Sequence, residues 1–565
     1  MFRLRPLSIC ILPLAIACSS GAPDMPPGPL SAAEKEALVA EADSPLFEGM
    51  GNHHHPITTS HPGAQRYFDQ GMVIAFAFNH AESIRSFKAA QRLDDDCAMC
   101  FWGEALATGP NINVTSNGKA VMSPDERTAA FAALQQAIAR KDQVSTKEQD
   151  YIDALATRYD GDPASDREPL DRAYAEAMAA LAAKYPEDDD AQSLYAEAVM
   201  NTMPWDYWLD GENPKPETAQ VLATLEGVLE RSPEHPLALH LYIHAVEASS
   251  KPERAEAAAD RLADLVPGAG HLVHMPAHIY WRVGRYHDAA EANVRAAAVD
   301  EAYIAQCNAQ GFYPALYYPH NIHFLWAASS MEGRSAIALE AARKVAANVR
   351  LEMIEEFPPV EFFHTIPLLA LTQFGQWQAV LEEPQPRADL EFSNAIWHYV
   401  RATAQARLGN LVAARAEQTA LQPLLATDKV LALDGSDYPA STLLAIADAL
   451  VAGEIAQAAD RLPEAIEHYE RAVELQDGLP YMEPPFWYYP TRQSLGAALL
   501  AASEGAQAEA VYRRDLKDYP RNGWSLFGLM QSLEQQGKAE DAAATRQRFE
   551  RAWDLADIEL TSSRL

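Results

Sequence analysis

Four of the chain's seventeen histidines fall within "GHLVHMPAHIYWRVGRYHDAA" (270–290). His271, His274 and His278 are spaced three and four residues apart, which puts their side chains on one face of a helix. The spacing recurs elsewhere. "HPLALHLYIHAVE" carries His240 and His244, and the offsets 240→274 and 244→278 are both 34 residues. "YYPHNIHFLWAAS" carries His320 and His323, and the offsets 271→320 and 274→323 are both 49. His364 and His398 fall loosely in the same register. Neutral imidazole is a ligand for zinc, copper, nickel and iron. The metal candidates are therefore His240, His244, His271, His274, His278, His320 and His323. An ion usually takes three or four such ligands, so the set implies two sites or outer-shell roles for some of its members. Glu247 follows His244 by three residues and Glu361 precedes His364 by three. Such pairs present ligands from facing helices, and both carboxylates are general-base candidates if the site is catalytic.

Three readings of these histidines stand side by side. They form a metal site, with a divalent transition metal (zinc, copper or iron) as cofactor. Alternatively they line a pocket for a peptide or small organic ligand, with Trp205, Tyr207, Trp208, Trp281 and Tyr317 stacking on it. In the third reading they are hydrogen-bonded core residues that hold helices together. A further run, His53, His54 and His55 with His61, reads either as a polar loop or as a segment that folds back and donates His53 or His55 to the same site.

The elements that would position these side chains are helices. Alanine-rich runs such as "AYAEAMAALAAKY" (173–185) favour helix, and no convincing series of alternating β-branched segments is present. "FNHAESIRSFKAAQRLDDD" (78–96), "RLPEAIEHYERAVEL" (461–475), "SLGAALLAASEGAQAEAVYRRDLKDYP" (494–520) and "GWSLFGLMQSLEQQGKAEDAAATRQRFERAW" (523–553) repeat a pattern of small, aromatic and terminal-proline positions. "GRYHDAA", "EGRSAIALEAA", "GQWQAVLEE" and "GNLVAARAE" read as turns entering second helices. These motifs resemble the tetratricopeptide-repeat (TPR) family over most of residues 60–555, and the histidine segments resemble those of bacterial lipoprotein-type TPR proteins of unassigned activity. The resemblance implies an all-α solenoid, a right-handed superhelix of helix–turn–helix repeats. It also implies that first helices line the concave groove, so that the recurring histidines point into it, a few ångströms from those of the neighbouring helix. Three segments interrupt the repeats: 109–124, and the aromatic loops 201–218 and 475–492, which read as caps or as functional loops.

"MFRLRPLSICILPLAIACSS" has the basic start, short apolar run and small residues of a targeting signal. "LAIAC" resembles a lipobox with Cys18 as the lipid-bearing residue, followed by a Ser/Pro/Gly tether. The expected divisions are 1–18 signal, 19–60 tether and histidine-rich loop, 61–235 amino-terminal repeats, 236–430 histidine-bearing repeats and 431–565 carboxy-terminal repeats. The expected location is the cell envelope, lipid-anchored at the outer membrane and facing the periplasm. "CAMC" (97–100) leaves open a plain structural pair, a disulfide or a metal ligand pair. Formal net charge is −34, so no nucleic-acid partner is expected. No phosphate loop, G-x-S-x-G elbow or H-E-x-x-H helix occurs. The function expected is an envelope scaffold with a histidine-rich, metal-binding groove for a protein, peptide or small ligand. The alternatives are a metal-dependent hydrolytic or oxidative enzyme in that groove, and a metal-free protein-binding scaffold.

Overall fold

The computed structural model describes residue 26 and residues 28–113, 122–307, 313–436 and 438–565. Among these no strand forms, and the chain runs as helices joined by short turns. The sequence dictates where the helices begin. Ser123 accepts a bond from the Glu126 backbone N–H while the Glu126 carboxylate accepts from Ser123, starting Pro124–Arg140; Ser145 and Glu148 do the same for Thr146–Ala156.

One turn geometry recurs through the chain. Gly284, Gly333, Gly375, Gly409 and Gly537 all have φ between 64° and 79°. In each case the following residue's N–H bonds back to the carbonyl five residues earlier, as Arg285 does to Tyr280 at 2.7 Å and Lys538 to Leu533 at 2.9 Å. This is a left-handed helix cap, which glycine adopts without strain. Asp460, Ser503 and Phe78 occupy the same position with φ of 57°, 64° and 56°. Phe78 is the unexpected residue of the three, because a bulky side chain is rarely found there.

Each turn joins an antiparallel helix pair, such as Pro62–Phe76 with His80–Leu93, Tyr318–Met331 with Ser335–Asn348, and Gly523–Gln535 with Ala539–Ala552. Small residues let the pairs stack. The Phe87 ring occupies the space a Cβ would need at both Gly71 and Gly103, and the Tyr512 ring does so at Gly496 and Gly528. The result is the all-α, tetratricopeptide-like solenoid that the repeat pattern implies.

The solenoid also curls back on itself. The Asp557 carboxylate accepts from the Ser335 and Ala336 N–H groups at 2.7 and 2.9 Å, satisfying donors at the start of a helix more than two hundred residues earlier. The Trp524 indole donates to the Ser330 carbonyl at 2.9 Å. Arg564 lies 4.1 Å over the Tyr489 ring and donates to the Tyr488 hydroxyl, pinning the aromatic 475–492 loop against the inner surface. Cys97 and Cys100 form a disulfide at the start of Ala98–Thr108, and Cys307 is a free thiol. Cys18 and the signal-like segment lie outside the described residues.

Candidate metal centre

Helix Pro236–Glu247 supplies His240, His244 and Glu247, and is buried on every side. The next unit supplies His271 and His274 from Gly270–His274, and His278 from Pro276–Arg282, which continues it. Helix Tyr318–Met331 supplies His320. These six imidazoles meet as two groups of three. His240, His244 and His271 bring a ligand atom each within 4.8 Å of one another, and so do His274, His278 and His320. The two groups have the same construction. Each takes two histidines one helical turn apart from one repeat and a third from the start of the next repeat.

In the second group the atoms converge closely. His274 Nε2 lies 2.8 Å from His278 Nε2 and 3.2 Å from His320 Nε2. Two nitrogens bound to one ion at about 2.1 Å, at angles of 90–109°, are separated by roughly 3.0–3.4 Å. The observed spacings are close to that range.

Hydrogen bonds at the outer nitrogens fix the tautomers. Asn293 Nδ2 donates to the Ala289 carbonyl, so its Oδ1 is the atom that accepts from His274 Nδ1, at 2.7 Å. His240 Nδ1 donates to the Phe76 carbonyl at 2.6 Å. Glu247 serves both groups: its Oε1 accepts from His244 Nδ1 at 2.8 Å and its Oε2 from His278 Nδ1 at 2.6 Å. With the proton held at Nδ1, His240, His244 and His274 turn an Nε2 lone pair inward, and His278 does so once its second proton is displaced. This is the arrangement by which outer-sphere acceptors orient metal-binding histidines. Among the described residues, His240 Nε2 and both ring nitrogens of His271 are buried with no hydrogen-bond partner. Such groups are rare and costly in a native interior, which counts against a purely structural role for these rings.

Electrostatics divide the cluster. Burial, reinforced by neighbouring imidazoles, pushes His240, His271 and His274 well below the usual histidine range, so they are neutral and can act as ligands. Burial opposes charge on His278 too, but the Glu247 and Glu483 carboxylates outweigh it and raise its pKa to about 10. Burial likewise works against the charged form of Glu247, yet His278 and His244 hold it below the ordinary carboxylate range. A positive charge is therefore favoured where His278 faces His274, and either a proton or a metal ion supplies it.

His244, His271, His278 and His320 are among the residues lining a cavity of about 1450 Å³, its open mouth included. Its walls are mostly apolar and aromatic, with Trp326, Phe362, Phe363, Phe392, Tyr438 and Phe486 among them. A pocket of this kind, with a few convergent polar groups, suits a small organic ligand. Trp205 stands edge-on to His244 with ring centroids 5.2 Å apart, and Tyr317 stands edge-on to His271 at 4.8 Å. Asn113 ties these two walls together, donating to the Tyr317 hydroxyl and accepting from the Trp205 indole.

The structure sets several expected residues apart. His323 is packed among Trp326, Phe362 and Phe363, where burial lowers its pKa to about 3. Its repeat carries Ala327 where the other two carry His244 and His278, so no triad assembles around it. Glu361 accepts from the backbone and hydroxyl of Ser393 and is not beside the imidazole cluster, so it is no base for that site. His364 Nε2 donates to the Val349 carbonyl and His398 pairs with Glu417. The 53–55 run does fold inward, but to a different place. His55 Nδ1 and His235 Nε2 both donate to Asp190, at 2.7 and 3.1 Å, and His53 lies beside the same carboxylate. The Ala238 N–H donates to His235 Nδ1, leaving its proton on Nε2 toward Asp190. That constellation is a hydrogen-bonded clasp that anchors the amino-terminal segment. Of the proposed stacking aromatics, Trp205 and Tyr317 line the cavity. Tyr207 is buried, Trp208 donates to the Ala245 carbonyl, and Trp281 packs on Tyr286 and Phe324.

Sequence reasoning missed Glu483, Asn293 and Phe78. Glu483 Oε2 lies 3.3 Å from His278 Nδ1, delivered by the "YMEPPFWYYP" loop. The signal available was a lone acid within an otherwise aromatic and proline-rich loop. Phe78 packs against His240, its ring tilted by 51° with centroids 4.5 Å apart.

No family model and no curated protein matches the chain. Solved structures do. A structure of the APC/C hetero-tetramer Cut9–Hcn1 matches at 12% identity and TM-score 0.28, over 87% of this chain and 76% of that one. The human IFIT1 dimer with m7Gppp-AAAA matches at 15% identity and TM-score 0.31, over 77% and 87%. The assembly chaperone of RpL4, Acl4, matches at 15% identity and TM-score 0.22, over 58% and 99%. At these identities and scores the likeness says nothing of ligand or partner. What the chain's own turns and helix pairs establish is a tetratricopeptide-like fold with six buried or half-buried imidazoles gathered at its centre.

Proposed function

We propose that this protein is a metal-binding repeat scaffold of the cell envelope. In this reading His274, His278 and His320 hold a divalent transition metal beside a cavity that receives a small apolar or aromatic ligand. The observation that carries the reading is the convergence of three Nε2 atoms whose outer nitrogens, in His274 and His278, are tied to acceptors. An all-imidazole donor set favours zinc or copper over magnesium or calcium. The aromatic walls favour a flat organic ligand over a long peptide, and a donor atom on that ligand would complete the ion's coordination from the open side.

The bacterial lipoprotein type belongs to this proposal. The lipobox-like "LAIAC" supports a lipid at Cys18, and the Cys97–Cys100 disulfide supports an oxidising compartment. The cavity opening beside the cluster favours one second reading, a metal-dependent enzyme with an open coordination position, in which Glu247 positions ligands and does not act as the base.

The test is elemental analysis of protein purified without a metal column and then exposed to zinc. Retention of zinc by the wild type, and a lower zinc content in His320→Gln with helix content unchanged, is the expected result. Equal zinc content in the two proteins overturns the assignment.

A further inference from the structure

We infer that His240, His244 and His271 hold a second transition-metal ion, so that the centre is a pair of tri-histidine sites built by consecutive repeats. The inference rests on the metal-binding reading above. Its basis is that the second triad is the first moved by one repeat. His240 and His244 map onto His274 and His278 by 34 residues, and His271 maps onto His320 by 49. The same backbone that makes one set of rings converge makes the other do so.

Three observations point to an occupant there. His240 Nε2 and both nitrogens of His271 lack partners among the described residues although the rings are buried. The proton of His240 is held outward by the Phe76 carbonyl and that of His244 by Glu247, so their Nε2 lone pairs face the third ring. Finally, Phe78 and Trp205, both with positive φ (56° and 62°), press on this triad. Bulky residues adopt that conformation at a cost of roughly 1–2 kcal/mol, and such strain persists where the surroundings over-determine it.

The ligand expected is an imidazole-preferring cation, copper or zinc, with no thiolate and no direct carboxylate donor. Glu247 lies outside both ligand sets and hydrogen-bonds to a histidine of each. Its charge offsets that of both ions, and it links their occupancy.

Native mass spectrometry of the full chain, stripped with chelator and reloaded with zinc alone, counts ions per molecule. The wild type is expected to carry two, His271→Phe one, His320→Gln one, and the double variant none. Circular dichroism verifies folding, and His240→Gln replaces His271→Phe if the latter does not fold. A wild type with one ion, lost in His320→Gln and kept in His271→Phe, overturns the second site and leaves the first standing. One ion lost only in His271→Phe leaves the second site standing and overturns the first. One ion lost in both variants means a single shared site and overturns the pair. Two ions retained in both single variants overturn the pair as well. A wild type with no ion overturns both readings.

Discussion

Glu247→Gln is the most informative single change, because one carboxylate orients a histidine in each triad. Glu247 is 1% exposed, and its two oxygens accept from His244 Nδ1 and His278 Nδ1 at 2.8 and 2.6 Å. An amide has the same shape but only one acceptor oxygen, and its NH2 must face the other imidazole. Facing a donor, that ring moves its proton from Nδ1 to Nε2, and the lone pair that would bind the ion is lost. The site that keeps the amide oxygen loses only a charge-assisted bond. Loss of an outer-sphere partner typically weakens metal binding by about 10–100-fold, or about 1.4–2.7 kcal/mol. One site should fall within that range and the site with the reversed tautomer below it. Competition titration of zinc against a chelator of known affinity measures both steps. Glu361→Gln is the control, since Glu361 touches neither triad. Zinc affinities within twofold of wild type in Glu247→Gln would refute the tautomer argument.

Three other outcomes follow from the same geometry. His278 has its pKa raised from 6.5 to about 10 by the two carboxylates, against the effect of burial. The stability this contributes is fully present below pH 6.5 and is lost as pH rises toward 10, on the order of 5 kcal/mol over the range. Melting of the chelator-treated protein should therefore fall between pH 7 and 10, while the zinc-loaded protein, whose ion replaces the proton, should melt nearly independently of pH over that range; parallel curves would contradict this. His323→Phe, a larger ring at a position that lines the cavity, should leave zinc stoichiometry intact and cost no more than the about 1–3 kcal/mol of an overpacked site; loss of zinc would return His323 to the ligand set. Asp190→Ala removes the acceptor of His55 and His235, at about 1–3 kcal/mol for each buried donor left unpaired, so limited proteolysis should cut near residues 50–61 faster than in wild type while zinc content is unchanged; an unaltered cleavage rate would count against the clasp.

Much of this architecture is legible in the sequence because its turns demand one backbone conformation. Gly284, Gly333, Gly375, Gly409 and Gly537 mark it directly, and they set the register in which the histidines align. Asp460 tolerates that conformation for local reasons, whereas Phe78 has no such local reason and places its ring against His240, His244 and His271. Register arithmetic also brings the right helices together while pairing the wrong residues. It aligns His240 with His274, whereas contact depends on the offset between stacked repeats, which joins His240 and His244 to His271 of the following unit. His323 fails for a reason that was readable, the alanine at 327. Glu483 was not readable, because the 475–492 loop reaches the cluster through closure of the superhelix, by contacts such as Trp524 with Ser330 and Arg564 with Tyr488. No local pattern encodes a contact between segments about two hundred residues apart.

That closure also has an energetic role. Three buried imidazole nitrogens without partners among the described residues, on His240 and His271, cost about 1–3 kcal/mol each in the ion-free chain. An open array of repeats could relieve this by letting neighbouring units slide apart and admit water. Here the carboxy-terminal repeats prevent it. Asp557 caps the helix that begins at Ser335, and Trp524 anchors to the preceding helix, so the units that carry His274, His278 and His320 are held from behind. A frame clamped in this way should hold the rings converged whether or not an ion is bound. Binding then needs little reorganisation, and the ion satisfies nitrogens that the fold leaves costly. The same reasoning requires that zinc stabilise the chain with the logarithm of its free concentration once that exceeds Kd, and that loosening the carboxy-terminal clamp weaken zinc binding although no ligand is touched.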